Sequence, residues 1–103
     1  MSLNTDLVAM LFFSDTNHVS LRTRKALGEV VQKGIQGLSL KIKEVDYDYE
    51  KELCSQYDVN GVPVMLVFGN DKLIGRHYGE TTSEEFEAIF GYHQNSESNI
   101  EES

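Results

Sequence analysis

The chain has one cysteine and one proline in 103 residues. A lone Cys54 excludes an intrachain disulfide and a cysteine-built zinc cage. It also excludes a dithiol exchange cycle within one chain, because that cycle needs an attacking and a resolving thiol. Basic residues are scarce: nine Lys and Arg stand against seventeen Asp and Glu, for a net charge of −8. That balance opposes nucleic acid and anionic membrane surfaces as partners, since both select basic faces. Its plainest meaning is a solubilising surface. No apolar run approaches the ~20 residues that cross a bilayer. Met1 to Asp6 shows no charged-then-apolar leader. A cytoplasmic location is the expectation, and the sequence contains no internal repeat.

What is present suits one small globular domain. Forty per cent of the residues are apolar, with five tyrosines and five phenylalanines, enough for a single core. Leu7-Val8-Ala9-Met10-Leu11-Phe12-Phe13 is apolar without alternation, the pattern of a strand buried on both faces. Ser14, Asp15, Thr16 and Asn17 follow as candidate N-caps. Val19, Thr23, Ala26, Leu27, Val30 and Val31 then recur at helical spacing, and Gly34 and Gly37 end that helix. Leu38, Leu40 and Ile42 alternate with polar residues and predict a second strand ending near Val45-Asp46. A short helix is expected over 49–57. The third strand is expected over 62–68, Gly69-Asn70-Asp71 has hairpin-turn chemistry, and a returning strand over 73–78 stops at Gly79. Thr82 and Glu85 form a capping box for a last helix with Phe86, Ile89 and Phe90 on its apolar face.

The resulting order is β-α-β-α-β-β-α, an α/β domain. The helix between the first two strands makes them parallel with a right-handed crossover. The last two strands form an antiparallel hairpin. A four-stranded mixed sheet with helices on both faces follows, over residues 1–92. Residues 93–103 are mostly Asn, Ser and Glu with little to bury, and are expected to form a disordered acidic tail.

The only proline, Pro63, lies in Asn60-Gly61-Val62-Pro63-Val64, where it opens an apolar strand. Proline has no N–H to donate to a ladder, so it belongs at such a start. This motif joins Tyr57-Asp58-Val59 before it, Phe68-Gly69-Asn70-Asp71 and Gly79 after it, and Val45-Asp46 at the end of the second strand. In this order the set resembles the thioredoxin family across roughly residues 7–90. The resemblance implies the thioredoxin-like fold and a cis Val62–Pro63 bond. Fuller members carry a further strand and helix at the start, so a chain beginning near Leu7 resembles the compact form.

In that family a Cys-x-x-Cys pair begins the first helix. The helix N-terminus acidifies the first thiol and the second resolves the mixed disulfide. Here the matching positions are Asn17-His18-Val19-Ser20, so Asn17 and Ser20 replace both thiols. Leu11 stands near the place of the family's buried aspartate. The resemblance therefore implies a degenerate redox site. The expected function is non-catalytic binding of a protein or extended peptide in a groove formed by Thr16, Asn17, His18, Val19, Val62 and Pro63. An alternative is a redox carrier or monothiol oxidoreductase using Cys54, and a third reading is an assembly subunit.

Each candidate residue also has a plainer use. Asn17 and its neighbours can simply cap the helix rather than bind an anion. Ser20 lacks the oriented base and oxyanion site that a nucleophile needs. Cys54 suits a half-buried core position, and Glu50, Glu52 and Asp58 nearby disfavour a thiolate. The acidic stretch from Glu44 to Glu52 lacks the EF-hand pattern. Its acids suit a strand end and a helix start, although Tyr47 and Tyr49 could serve a partner surface. His18, His77 and His93 show no metal-ligand spacing, and no metal or cofactor is expected.

Overall fold

The computed structural model describes residues 4–100. Strand β1 runs Thr5–Phe13, helix α1 His18–Lys33, β2 Leu38–Asp46, α2 Lys51–Gln56, β3 Val64–Gly69, β4 Lys72–Tyr78 and α3 Ser83–Ile100. The sheet order is β2-β1-β3-β4. Strands β1 and β2 pair in parallel, while β1–β3 and β3–β4 are antiparallel. This is the mixed four-stranded α/β sheet that the order of elements predicts.

Strand alternation divides the core into two layers. Leu7, Ala9 and Leu11 of β1 and Met65 and Val67 of β3 pack with Leu27 and Val30 of α1 and Phe86 and Phe90 of α3. The intervening Met10, Phe12, Val64 and Leu66 point the other way and pack with Val45, Cys54 and Val59. The two central strands are thus covered on both faces, which explains the unbroken apolar run in β1. Leu11 is 0% exposed within the first layer.

The ends of the elements follow local chemistry. Asn17 caps α1, its side-chain oxygen accepting from Ser20 N–H at 2.7 Å. Gly34 closes that helix with a φ of +80°. Asn70 and Asp71 both have positive φ and form the two-residue turn between β3 and β4, as a right-twisted hairpin requires. The Thr82–Glu85 capping box is reciprocal, with Thr82 N–H donating to Glu85 at 2.9 Å and Glu85 N–H donating to the Thr82 hydroxyl at 3.1 Å.

Three expectations require correction. Strand β3 begins at Val64, so Val62 and Pro63 form its approach. Helix α2 covers Lys51–Gln56, because the Tyr49 and Glu50 N–H groups turn back to Asp46 O. The expected disordered tail is helical through Ile100. Two polar residues anchor it: His93 is only 4% exposed, and Gln94 Nε2 donates to Gln36 O at 3.0 Å. Residues 101–103 of that tail lie outside the described part.

Candidate binding groove

Strand register gathers the candidate segments at one end of the sheet. Phe12 is registered with Val64, and Val64 with Tyr78. The turn leaving β1, the approach to β3 and the turn leaving β4 are therefore neighbours across the sheet. Helix α1 begins five residues after the end of β1, at His18.

The turn between β1 and α1 is a closed hydrogen-bond system. Ser14 N–H donates to Ser20 Oγ at 3.0 Å, and Ser20 Oγ lies 3.1 Å from Ser14 O and 2.9 Å from Asn17 O. Ser14 Oγ donates to Asp48 at 2.6 Å and lies 3.0 Å from Thr16 Oγ1. Ser20 is 0% exposed and Ser14 is 4% exposed. These bonds satisfy the turn internally and give Ser20 a structural use. Thr16 and His18 are exposed, whereas Asn17 and Val19 are half-buried. His18 therefore remains the accessible polar side chain of the helix start.

Across the sheet end, Pro63 is buried and Val62 is half-buried. The Val62–Pro63 peptide is cis. Pro63 O accepts from Gly79 N–H at 3.0 Å, joining the approach to β3 with the turn after β4. Gly79 makes this turn with a φ of +86°, a conformation that a residue bearing a Cβ adopts at a cost. The turn is tied back to α1 by Thr81 N–H donating to buried Thr23 at 3.2 Å and by an Arg22–Glu80 ion pair at 2.9 Å.

Between these segments is an open cavity of ≈ 400 Å³. Asn60, Gly61, Val62, Pro63, Tyr78 and Gly79 are among its lining residues. Tyr78 is 67% exposed. Val62 and Pro63 thus line a common cavity, while Thr16, Asn17, His18 and Val19 occupy the same sheet end without lining it. The pattern reading missed Tyr78 and Gly79 as cavity walls. Pro63 was the available signal, since whatever pairs with the approach to β3 must sit beside it.

Cys54 is elsewhere. It is 6% exposed on α2, and its Sγ lies 3.8 Å from Tyr47 O. Burial pushes its pKa up. Lys51 opposes that shift, while Glu50 and Asp48 add to it. The group is thus held as a thiol. In the acidic stretch, Lys51 Nζ lies 4.7 Å from the Tyr47 ring centroid and Tyr49 is 83% exposed. Among the described residues, no cluster of three or more His, Cys, Asp and Glu is arranged to hold a metal ion. Nor is any described helix long and apolar enough to cross a membrane.

The family model for thioredoxin matches residues 23–90. The chain belongs to the thioredoxin family. Solved relatives agree on the fold. Thioredoxin-2 of the malaria parasite, described as a component of its protein secretion machinery, superposes with a TM-score of 0.77 at 16% identity, covering 86% of this chain and 84% of that one. A mutant thioredoxin from Halobacterium salinarum gives 0.77 at 18% identity, covering 90% and 78%. Fasciola hepatica thioredoxin gives 0.71 at 18%, covering 84% and 81%. The family match begins after the start of α1. The family match therefore covers most of α1, strands β2, β3 and β4, the Pro63 segment and the start of the last helix, and omits β1 and Asn17 to Ser20. With one cysteine in total, this thioredoxin-family chain has no Cys-x-x-Cys pair.

Proposed function

We propose that this thioredoxin-like protein binds an extended protein or peptide segment non-catalytically in the cavity beside Pro63. The observation that carries this reading is the ≈ 400 Å³ opening walled by Val62, Pro63 and Tyr78. The sheet register begins at Val64, so Val62 presents backbone groups outside the ladder. An extended peptide can pair with such groups and place side chains in adjoining hollows. Exposed Tyr78 supplies a broad apolar face with a polar tip, the type of residue that anchors interfaces. Thr16, Asn17, His18 and Val19 lie at the same sheet end and extend the surface a segment would follow. Burial of Cys54 and its raised pKa weigh against the monothiol alternative.

The test is selection from a displayed library of random extended peptides, followed by calorimetric titration of the selected peptides. Val62→Asp and Tyr78→Ala should each weaken binding by about 1–2 kcal/mol or more, as expected for anchor residues. Cys54→Ser should leave the affinity unchanged. Affinity that survives both groove changes and falls with Tyr47→Ala and Tyr49→Ala would move the surface to the acidic stretch.

A further inference from the structure

His77 on β4 and His93 on α3 meet ring to ring. Their Nε2 atoms are 3.1 Å apart, and the ring centroids are 5.3 Å apart with an interplanar angle of 75°. A centroid separation that long, with the nitrogens that close, requires both nitrogens to point nearly along the line joining the rings. That is the geometry of an N–H···N hydrogen bond, with one ring donating and the other accepting. It differs from two lone pairs converging on a common ion. The strand is shaped for this contact. A Cβ on Gly75 would stand 2.6 Å from His93 Cε1 and Nε2, so glycine leaves the space that the ring occupies.

We propose that His77 and His93 form a pH-sensitive latch that holds the end of α3 against β4 while the pair keeps its N–H···N bond, and releases it when both rings are protonated. The first added proton can go to the donor's Nδ1 and leave the bond intact, but it places charge in a buried setting. The second must take the accepting Nε2, which sets two N–H groups against each other. The two rings therefore titrate as a pair. Among the described side chains, none with a fixed charge is hydrogen-bonded or ion-paired to either ring, although Glu80 and Glu85 line the open cavity that His77 also lines. From β4, Arg76 reaches Tyr57 O on the far side, and Tyr78 is exposed. From α3, the Tyr92 ring lies 5.2 Å from the His93 ring, Glu85 accepts from Thr82 N–H, and Glu87 pairs with Lys33 of α1. Glu80, after β4, is paired with Arg22. Met65 of β3 faces His77, and Gln36 from the α1–β2 loop brings only a carbonyl.

Burial pushes the pKa of His77 down, and burial followed by the charge of His77 pushes that of His93 down. A docked pair thus binds fewer protons than an undocked one. Docking is fully favourable above the free histidine value of about 6.5 and weakens progressively below it.

The experiment is amide hydrogen exchange by NMR on the full chain at pH 7.5 and 5.0, corrected for intrinsic rates. Between these values most carboxylates remain ionised. Protection at residues 92–95 should fall relative to that at Phe86 and Phe90, by several-fold and at most about thirtyfold for each ring, the limit that a free value of about 6.5 sets at pH 5.0. His77→Gln should flatten this response. Gly75→Ala should flatten it too, because the methyl group expels His93 while both histidines remain. Ring-proton titration of the unmodified chain gives a reading that no variant can spoil: the two rings should titrate below about 6.5 and in a coupled way. Independent titration at or above that value would overturn the latch. So would unchanged protection at acid pH, or a full response in Gly75→Ala.

Discussion

Ser20 Oγ shares its one proton between Ser14 O and Asn17 O while accepting from Ser14 N–H. The side chain is buried and closes the turn that leads into α1. The neighbouring Asn17 oxygen is committed to Ser20 N–H. Two polar side chains therefore satisfy the turn and the helix start between them. Removing the Ser20 hydroxyl leaves the Ser14 N–H without its partner in a buried setting, which costs about 1–3 kcal/mol. Ser20→Ala should lower stability by that amount in urea unfolding. The affinity of peptides selected on the groove should stay within twofold, because Ser20 is 0% exposed. A large loss of binding at unchanged stability would mean that the hydroxyl contacts the ligand.

The elements were legible wherever hydrophobic period and end chemistry agreed. The unbroken run of β1 reads as two-sided burial, and its residues do alternate between the two core layers. Thr82 and Glu85 read as a capping box and form one. The end of α3 was illegible, because composition measures what a segment can bury by itself. His93 docks against a space made by Gly75, eighteen residues earlier on another element. The far wall of the groove was hidden for a related reason. Counting back from the Asn70–Asp71 turn would set Val64 opposite His77, but a bulge between Val67 and Phe68 moves the register so that Tyr78 faces Val64. Nothing in a single strand's pattern announces such a bulge. The anchored end of α3 makes a prediction at this scale. A chain truncated after Tyr92 loses a buried ring and the Gln94–Gln36 bond, and should lose about 1–3 kcal/mol. For a domain of this size that corresponds to roughly 4–8 °C of Tm per kcal/mol. Truncation after Asn95 keeps both anchors and should lower Tm by much less. Equal losses would place the stabilising contacts beyond Asn95.

At the scale of the whole molecule, the fold and the chemistry usually associated with it have come apart. The fold superposes on solved thioredoxins and the family match takes in the Pro63 turn and the capped start of the last helix, while the sole cysteine lies in the layer beneath α2 with Met10, Phe12 and Val45. That core argues that the thiol is a poor nucleophile. Burial raises its pKa, so little thiolate forms at neutral pH, and its 6% exposure restricts the approach of another chain's disulfide. Thiolate exchange requires both a deprotonated sulfur and access. The protein should therefore reduce insulin disulfides no faster than the dithiothreitol blank, and iodoacetamide should alkylate Cys54 slowly at pH 7. The alkylation rate should climb as pH rises past the free-thiol value of about 8.5, because the native thiolate forms only above it. Adding denaturant at pH 7 should speed the reaction by exposing the sulfur and restoring its ordinary acidity. Turnover above the blank that disappears in Cys54→Ser would reverse this conclusion and make the chain a monothiol oxidoreductase. Turnover retained in that variant could not come from a thiol of this chain.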